Sequence, residues 1–379
     1  MKYVSLFLWL VMIFSYFMQP FYPLCSNFIV PGLFGFLLCS MVKFRFCLNA
    51  RMIIFIALFV AYLCVSSIES SLSNNVDLLN IVRFVAIFVT ILFAQNFYYG
   101  SFNVEYKIFI FVACVKSLVL IGIFSIVFYY QDFTTWRFWA KTAGVGDIYI
   151  LNSIPRVQLQ GNALLVLAFM VNYLLKNKLT IVNAILLFGC VAAGNVAFIG
   201  IIILFYGIKL TPVFVEQIKR KEAKLVFSVP CVLIALVLFF LYIYAMMEQK
   251  SDVSNAIRKE EVEILLSSCW FFGHGVGSLI TAVGYFRDYT GNIYFELQPL
   301  YVFYQIGFVG VLMFYFITIY TYIKNRKILL IYILYLIFSA FNPYCFDVTH
   351  IVTVIVLSGL AANFRNINAF TGVGLMRKR

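Results

Sequence analysis

Apolar runs of membrane length follow one another along almost the whole chain, and this pattern limits the possible folds more than any other feature. Of the 379 residues, 64% are hydrophobic and only 11% are charged. A soluble domain carries about 25% charged residues, so no water-soluble core could bury this much apolar surface. The sequence therefore predicts an all-α, polytopic transmembrane helical bundle. Its twelve apolar runs cover approximately residues 3–19, 23–42, 52–70, 81–99, 108–130, 161–175, 179–194, 196–212, 225–247, 298–323, 328–341 and 350–364.

Twelve spans of about 20 residues would use roughly 240 residues. The remainder is enough for two larger loops, about 131–160 and 248–297, but not for a separate soluble domain. We therefore expect residues 1–379 to form a single integral membrane domain. The first run has no small-residue cleavage site after it, so it is expected to be the first span and not a removed signal peptide.

The number of spans depends on runs 179–194 and 196–212, which are separated only by Gly194 and Asn195. They could form two short helices or one long broken segment. Twelve spans place every group of basic loop residues, and both termini, on one side, as the positive-inside rule requires of the cytoplasmic face. Eleven spans would split these groups between the two sides. The groups are Lys43, Arg45 and Arg51; Lys176 and Lys178; Lys209, Lys219, Arg220, Lys221 and Lys224; Lys324, Arg326 and Lys327; and Arg365 with Arg377, Lys378 and Arg379.

The net charge of +13 is spread over these short loops. A nucleic-acid-binding protein would cluster its basic residues on a soluble face, so no nucleic-acid partner is expected. The charges instead predict a multi-pass protein of a cytoplasmic membrane, with both larger loops outside. Residues 260–272 within the second of these loops alternate apolar and acidic side chains, which predicts an amphipathic helix at the membrane surface.

Familiar soluble motifs are missing from the sequence: there is no P-loop, HExxH, GxSxG or dinucleotide-binding fingerprint. The two histidines and the scattered acids do not have metal-ligand spacing. We therefore expect neither a metal nor a cofactor.

Arginines on the expected outer face are the strongest candidates for ligand binding: Arg83, Arg137, Arg156, Arg258 and Arg287. A planar guanidinium binds phosphate oxygens in pairs, and several such groups near a membrane suit a lipid-linked pyrophosphate. They could also stabilise a diphosphate leaving group without a metal. Each arginine could equally form a structural salt bridge, as Arg287 could with its neighbour in sequence or with Glu296.

Two further residues could transfer protons. His274 has an unperturbed pKa near neutrality, but between its flanking glycines it could equally be a hydrogen-bonded structural residue. Glu296 could act as a general base towards a sugar hydroxyl, or it could orient an arginine. His350, at the outer start of the last run, has the same two readings as His274. Lys116 lies inside an apolar run, so it is expected to face the bundle interior and could share a charged cavity with Arg83.

The layout resembles that of the O-antigen polymerase (Wzy) family, within the wider group of O-antigen polymerases and ligases. Phe272–Ser278 (FGHGVGS) is similar to the glycine-rich entry to the last large loop of that family. The segments 292–297 (NIYFEL) and Gln305–Gly310 (QIGFVG) look like the exit from this loop into the next span. The segment Gly194–Gly200 (GNVAFIG) stands where many members have Ser-Arg before small residues, and this chain lacks that arginine.

The resemblance implies a membrane glycosyltransferase with a GT-C-like helical fold that acts without metal at the periplasmic face of a bacterial inner membrane. It would join undecaprenyl-pyrophosphate-linked repeat units into a longer glycan. His274 or Glu296 would take the hydroxyl proton, Arg287 would stabilise the leaving group, and Arg83, Arg137, Arg156 and Arg258 would bind pyrophosphate. A chain-length regulator is an implied partner, beside the membrane lipids.

Two alternatives remain open. A ligase of the same group would move finished glycan onto lipid A core. A lipid-linked oligosaccharide flippase, or another transporter, should have repeated halves and polar groups at the membrane midplane. The chain has no internal repeat, and its polar residues concentrate in the two larger loops, which favours an enzyme of the outer face.

Overall fold

A computed structural model of the chain describes residues 2–43, 50–72, 76–96, 105–130, 132–144, 146–151, 154–219, 237, 241, 252–266, 271–291, 295–340 and 344–376. Within these residues it has α-helices α1 (Lys2–Met18), α2 (Ser26–Lys43), α3 (Ala50–Leu72), α4 (Leu78–Asn96), α5 (Glu105–Tyr130), α6 (Phe133–Thr142), α7 (Ala163–Lys176), α8 (Ile181–Ala193), α9 (Val196–Lys219), α10 (Asp252–Leu266), α11 (Gln298–Tyr322), α12 (Arg326–Ser339) and α13 (Val348–Met376). A hairpin of strands β1 (Gly146–Leu151) and β2 (Ile154–Leu159) follows α6.

Four of the described helices are long and apolar enough to cross a membrane: Met52–Leu72, Leu78–Gln95, Glu105–Tyr130 and Gln298–Tyr322. The described residues also include six shorter apolar helices. The helical membrane protein expected from the sequence is therefore what the structure has, while the total of twelve spans and the GT-C-like arrangement stay predictions. The run predicted over 225–247 lies outside the described residues except for Val237 and Leu241.

The direction of the helices follows from side chains that join them near their ends. The Asn80 amide donates to the Tyr301 hydroxyl near the starts of α4 and α11 (3.2 Å). The Gln95 amide donates to the Thr318 carbonyl near the ends of the same helices (3.3 Å), and the Ser358 hydroxyl donates to the Gln95 carbonyl (3.3 Å). Helices α4, α11 and α13 therefore run in the same direction. We call the end of the bundle where these three helices begin its outer end.

The break at Gly194 separates two helices, α8 and α9. Gly194 ends α8 in the left-handed conformation (φ 64°), which a residue without a side chain adopts at low cost. A Cβ atom there would meet the side chain of Arg156. The break therefore lies beside the β1–β2 hairpin. Phe198, one turn into α9, contacts the ring of Tyr344, just before α13, so the break also belongs to the outer end.

The hairpin is the part of the fold that the all-α prediction misses. β1 and β2 pair antiparallel, with Ile148 opposite Val157, and both side chains are fully buried. Alternating β-branched and polar residues favour strands over a helix here. The predicted amphipathic helix is also displaced: α10 covers Asp252–Leu266, whereas Phe271 and Phe272 lie in a turn.

Lys116 is fully buried, as its position in an apolar run predicts. Its Nζ atom donates to the carbonyl oxygen of Phe17 at 2.9 Å. Because the amide of Phe21 donates to Met18 and not to Phe17, the helical partner of the Phe17 carbonyl is missing. Lys116 therefore supplies the missing hydrogen-bond donor at the C-terminal end of α1. No hydrogen bond or ion pair in the described part of the chain joins it to Arg83, so the predicted shared cavity gains no support.

Candidate functional site at the outer end of helix α11

The glycine-rich segment Phe272–Ser278 docks into a break in α11. The break is at Gly307, whose backbone is not helical (φ 60°, ψ −173°). Backbone groups freed by such a break must find other partners inside a membrane bundle. The Tyr304 carbonyl accepts from the amide of His274 (2.9 Å), and the Val309 amide donates to the Phe271 carbonyl (3.2 Å). The segment thus completes the broken helix.

Side chains hold this contact in register. The amide group of Gln305 accepts from the Gly277 amide and donates to the Ser278 carbonyl, both at 2.7 Å. The Tyr62 hydroxyl on α3 donates to the Ile306 carbonyl at 2.6 Å. The segments FGHGVGS (Phe272–Ser278) and QIGFVG (Gln305–Gly310) therefore lie against each other, although Gln305 and Gly277 are 28 residues apart in sequence.

Helix α10 is fastened to the start of α11 by acidic side chains. Glu261 is fully buried and accepts from the backbone amides of Glu296 (3.4 Å) and Leu297 (3.2 Å). A negative charge there also favours the positive end of the α11 dipole. Burial raises the pKa of Glu261, and these two amides partly offset that rise. One turn earlier on α10, the Arg258 Nε atom lies 2.9 Å from Glu296 Oε2, with each side chain about a third exposed (28% and 31%).

The loop between α10 and α11 is held by Glu260. Its carboxylate accepts from the Tyr289 hydroxyl (3.0 Å) and the Phe286 amide (3.2 Å), as well as from the Tyr285 amide. These bonds fix the position of Arg287, whose positive charge lowers the pKa of Glu261. Arg287 makes no ion pair with the described residues.

The other flank of α11 joins α4 and the loop before α13. The side-chain amide of Gln298 accepts from the Phe346 amide (2.8 Å) and donates to the Phe346 carbonyl (3.3 Å). The ring of Phe346 packs on that of Phe84, with 4.3 Å between centroids. Phe346 therefore fixes the backbone before Asp347 against both α4 and α11, next to Arg83.

Asp347 caps the first turn of α13. Its Oδ1 atom accepts from the Thr349 amide (2.8 Å) and the His350 amide (3.3 Å), and Oδ2 accepts from the Thr349 hydroxyl (2.8 Å). Burial raises the pKa of Asp347 to about 6, whereas these bonds and the positive charge of Arg83 lower it. Arg83 itself is exposed and makes no ion pair with any residue that the structure describes.

The structure thus brings together five of the seven residues that the sequence predicts for the site: Arg83, Arg258, Arg287, His274 and Glu296. All of them lie around the first half of α11. One of them, His274, stacks on Tyr304 of α11 (4.0 Å), and Phe295, next to Glu296, stacks on Tyr301 (4.7 Å).

Arg137 and Arg156 form a second group on the hairpin side. Arg137 binds both carboxylate oxygens of Asp147 (3.1 and 3.2 Å), and Lys141 also reaches Asp147 (3.7 Å). Arg156 is nearly buried, and its guanidinium lies 5.7 Å from the centre of the Tyr149 ring. The Arg156 side chain lies against Gly194, the first residue of the segment Gly194–Gly200, which itself contains no arginine.

The two histidines differ in their surroundings. His350 is fully buried, with Nδ1 2.7 Å from the Cys345 carbonyl oxygen and Nε2 3.1 Å from the Tyr332 hydroxyl, so the structural reading holds for it. His274 is only half-buried, and its ring is nearly parallel to that of Tyr304 (10°). Burial lowers the pKa of His274, so its imidazole is neutral at pH 7.

Sequence reasoning missed Asp347, Glu261 and Asn80 as members of this group. Asp347 and the threonine two residues later carry a helix-capping signal, which explains Asp347 without a site. Only the fold shows that it lies next to Arg83. In the described part of the chain no group of three or more histidine, cysteine and acidic residues could hold a metal ion.

Comparison of the chain with protein-family models, with curated proteins and with solved structures found no match.

Proposed function

We propose that the chain is a membrane glycosyltransferase of the O-antigen polymerase type, which joins undecaprenyl-pyrophosphate-linked repeat units at the periplasmic face of a bacterial inner membrane. The single observation that carries the proposal is the convergence at the outer end of α11. Arg83 and Arg287 lie there without a carboxylate in ion-pair contact among the described residues, beside the acids Glu261, Glu296 and Asp347.

The arginines and acids at the outer end of α11 suit the chemistry of such a reaction. A lipid-linked pyrophosphate carries its charge at the membrane surface, where arginines on rigid helix ends can bind its oxygens in pairs. The leaving pyrophosphate needs positive charge as the glycosidic bond breaks, and fixed guanidinium groups supply it without reorganisation. The acidic side chains offer a proton acceptor for the attacking hydroxyl.

Arg258 serves differently from Arg83 and Arg287 in this proposal. Its ion pair with Glu296 favours the second reading of Glu296, in which it orients an arginine. The chain-length regulator expected from the resemblance would act on the length of the product and stays part of the proposal.

A transporter would need its polar groups along a path through the membrane midplane. The charged residues of the candidate site gather instead at the outer end of α11, while Lys116 inside the bundle is engaged by the carbonyl of Phe17. These placements favour an enzyme.

The lipopolysaccharide of a strain in which this gene is deleted tests the proposal, because gel electrophoresis separates the outcomes. Loss of the ladder, with one repeat unit still attached to core, is the expected result. Bare core with lipid-linked polymer accumulating would indicate a ligase instead. Bare core with lipid-linked units trapped on the cytoplasmic face would indicate a flippase. An unchanged ladder would also overturn the proposal.

A further inference from the structure

We propose that Asp347, with Arg83, Asn80 and Tyr301, forms the acceptor side of the reaction centre, where the Asp347 carboxylate takes the proton of the attacking sugar hydroxyl. This inference rests on the proposed function and names the group that performs the proton transfer. It also replaces Glu296 and His274 in that role.

Asp347 lies at the edge of a buried part of the bundle. Asp347 is partly exposed, whereas its neighbours Cys345, Phe346 and Thr349 are buried. The two hydrogen bonds between the Gln298 side chain and the Phe346 backbone hold the loop before α13 in place. A base held on helix ends keeps its position as the substrate arrives.

The hydrogen bonds to Asp347 leave its carboxylate able to accept one more hydrogen bond. Oδ2 accepts only the Thr349 hydroxyl among the described residues, and a carboxylate oxygen has two lone pairs. Because Thr349 donates its single hydroxyl proton to Asp347, the Tyr16 hydroxyl, 2.6 Å away, must donate to Thr349. The resulting chain of hydroxyl groups, from Tyr16 through Thr349 to Asp347, stabilises the ionised carboxylate.

Near Asp347, the side-chain oxygen of Asn80 can accept a further hydrogen bond. Asn80 is buried and its Nδ2 atom donates to the Tyr301 hydroxyl, yet its Oδ1 atom accepts no hydrogen bond from any described residue. Leaving a buried acceptor unsatisfied costs about 1–3 kcal/mol. A hydroxyl-rich ligand such as a sugar can supply the missing donor, either directly or through water. Asn80 and Arg83 are three residues apart on α4, so they share one face of the helix.

The charges around Asp347 suit a base that works near neutral pH. The titratable groups that face it among the described residues are Arg83 from α4, Tyr16 from α1, Tyr335 from α12 and Cys345 from its own loop. Arg83 is the positive one among them. With a pKa of about 6, Asp347 is ionised at pH 7 and yet more basic than an ordinary aspartate, as efficient general bases are.

The other two candidates are less suited to this step. The Glu296 carboxylate is already engaged by the guanidinium of Arg258 at 2.9 Å. The His274 ring lies against Tyr304 at 4.0 Å between centroids.

The transfer forms one glycosidic bond and breaks another. The hydroxyl oxygen of the acceptor sugar forms a bond to the anomeric carbon of the donor glycan, and its proton moves to Asp347. The bond from that carbon to the pyrophosphate oxygen breaks, and its electron pair leaves with the pyrophosphate, which Arg287 stabilises. Asp347 then returns its proton to water.

The test must separate this role from helix capping, because removing a cap destabilises a helix by about 0.5–2 kcal/mol. Asparagine and serine cap helices as well as aspartate does, but neither can serve as a general base. Asp347→Asn and Asp347→Ser therefore keep the cap and remove the base. Asp132→Asn is the matched control, since Asp132 caps α6 through the Thr135 amide and has no place in the site.

The full-length chain is reconstituted in liposomes, with lipid-linked repeat units extracted from the deletion strain as substrate, and the polymerisation rate is measured from pH 5 to 8. We expect both Asp347 variants to lose about 100-fold or more in rate. The rate of the natural chain should fall as the pH drops through about 6, because Asp347 becomes protonated. In Arg83→Gln the fall should begin at higher pH, since the charge that lowers the pKa of Asp347 is gone.

Retention of at least a tenth of the rate in both Asp347 variants, with the acidic fall unchanged, would overturn this inference alone. If the natural chain forms no polymer from these units, the proposed function itself fails. Equal losses in Asp132→Asn would show that the assay responds to capping, and the role of Asp347 would then be rejected as well.

Discussion

The candidate arginines differ chiefly in whether a neighbouring carboxylate already neutralises their charge. Arg137 and Arg258 each bind a carboxylate, at 3.1 and 2.9 Å. Arg83 and Arg287 have no such partner within the described residues. An unpaired guanidinium is free to bind an anionic ligand, so these two arginines are the ones we expect to contact pyrophosphate.

Replacing an unpaired arginine should therefore cost more activity than replacing a paired surface cation. We expect Arg83→Gln and Arg287→Gln each to lower the polymerisation rate about 100-fold, the range found when one charge-stabilising donor is removed. Lys259→Gln is the matched control, because Lys259 is 81% exposed and lies 3.9 Å from Glu263. The readout is the ladder that each variant restores in the deletion strain. Ladders of equal length and amount from all three variants would remove these arginines from the site.

At the scale of elements, the broken helix α11 organises the site. Gly307 and Gly273 approach so closely that a Cβ atom on Gly307 would clash with the Gly273 amide nitrogen. Gly307 also has φ 60° and ψ −173°, a conformation that is essentially restricted to glycine and costs other residues about 1–3 kcal/mol. The sequence marks this region only as a glycine-rich stretch.

Gly307→Ala should consequently displace the segment Phe272–Ser278 and destabilise the protein by more than the conformational term alone. Gly122→Ala on α5 is the control, because nothing lies within 4 Å of a Cβ atom there. Thermal unfolding of the detergent-solubilised protein measures the difference. We expect a lower midpoint and loss of polymer for Gly307→Ala, and neither for Gly122→Ala. Equal midpoints would mean that the break is not a fixed part of the fold.

Local sequence patterns predict the helices but not which distant residues contact each other. Hydropathy locates α3, α4, α5 and α11 because each has an apolar stretch long enough to cross a membrane. The hairpin was missed because its strands lie in a loop that also contains charged residues. The proximity of Asp347 to Arg83, and of Arg156 to Gly194, depends on how distant helix ends pack, and no local pattern specifies this.

At the scale of the whole molecule, polar and apolar side chains are sorted along the helix axes. The outer end carries Arg83, Asp347 and the loop between α10 and α11, whereas Lys209 and Lys327 lie near each other towards the opposite end. This sorting agrees with the cytoplasmic position that the positive-inside rule predicts for those lysines. A substrate held in the outer leaflet by its lipid would meet the arginines without crossing the membrane.

The most direct test of this account is polymer formation by the purified chain alone. The full-length protein is reconstituted in liposomes, supplied with lipid-linked repeat units from the deletion strain, and its products are separated by size. We predict a ladder of lipid-linked glycans longer than one repeat, with no added nucleotide. Single units that remain unchanged in the presence of folded protein would contradict the account.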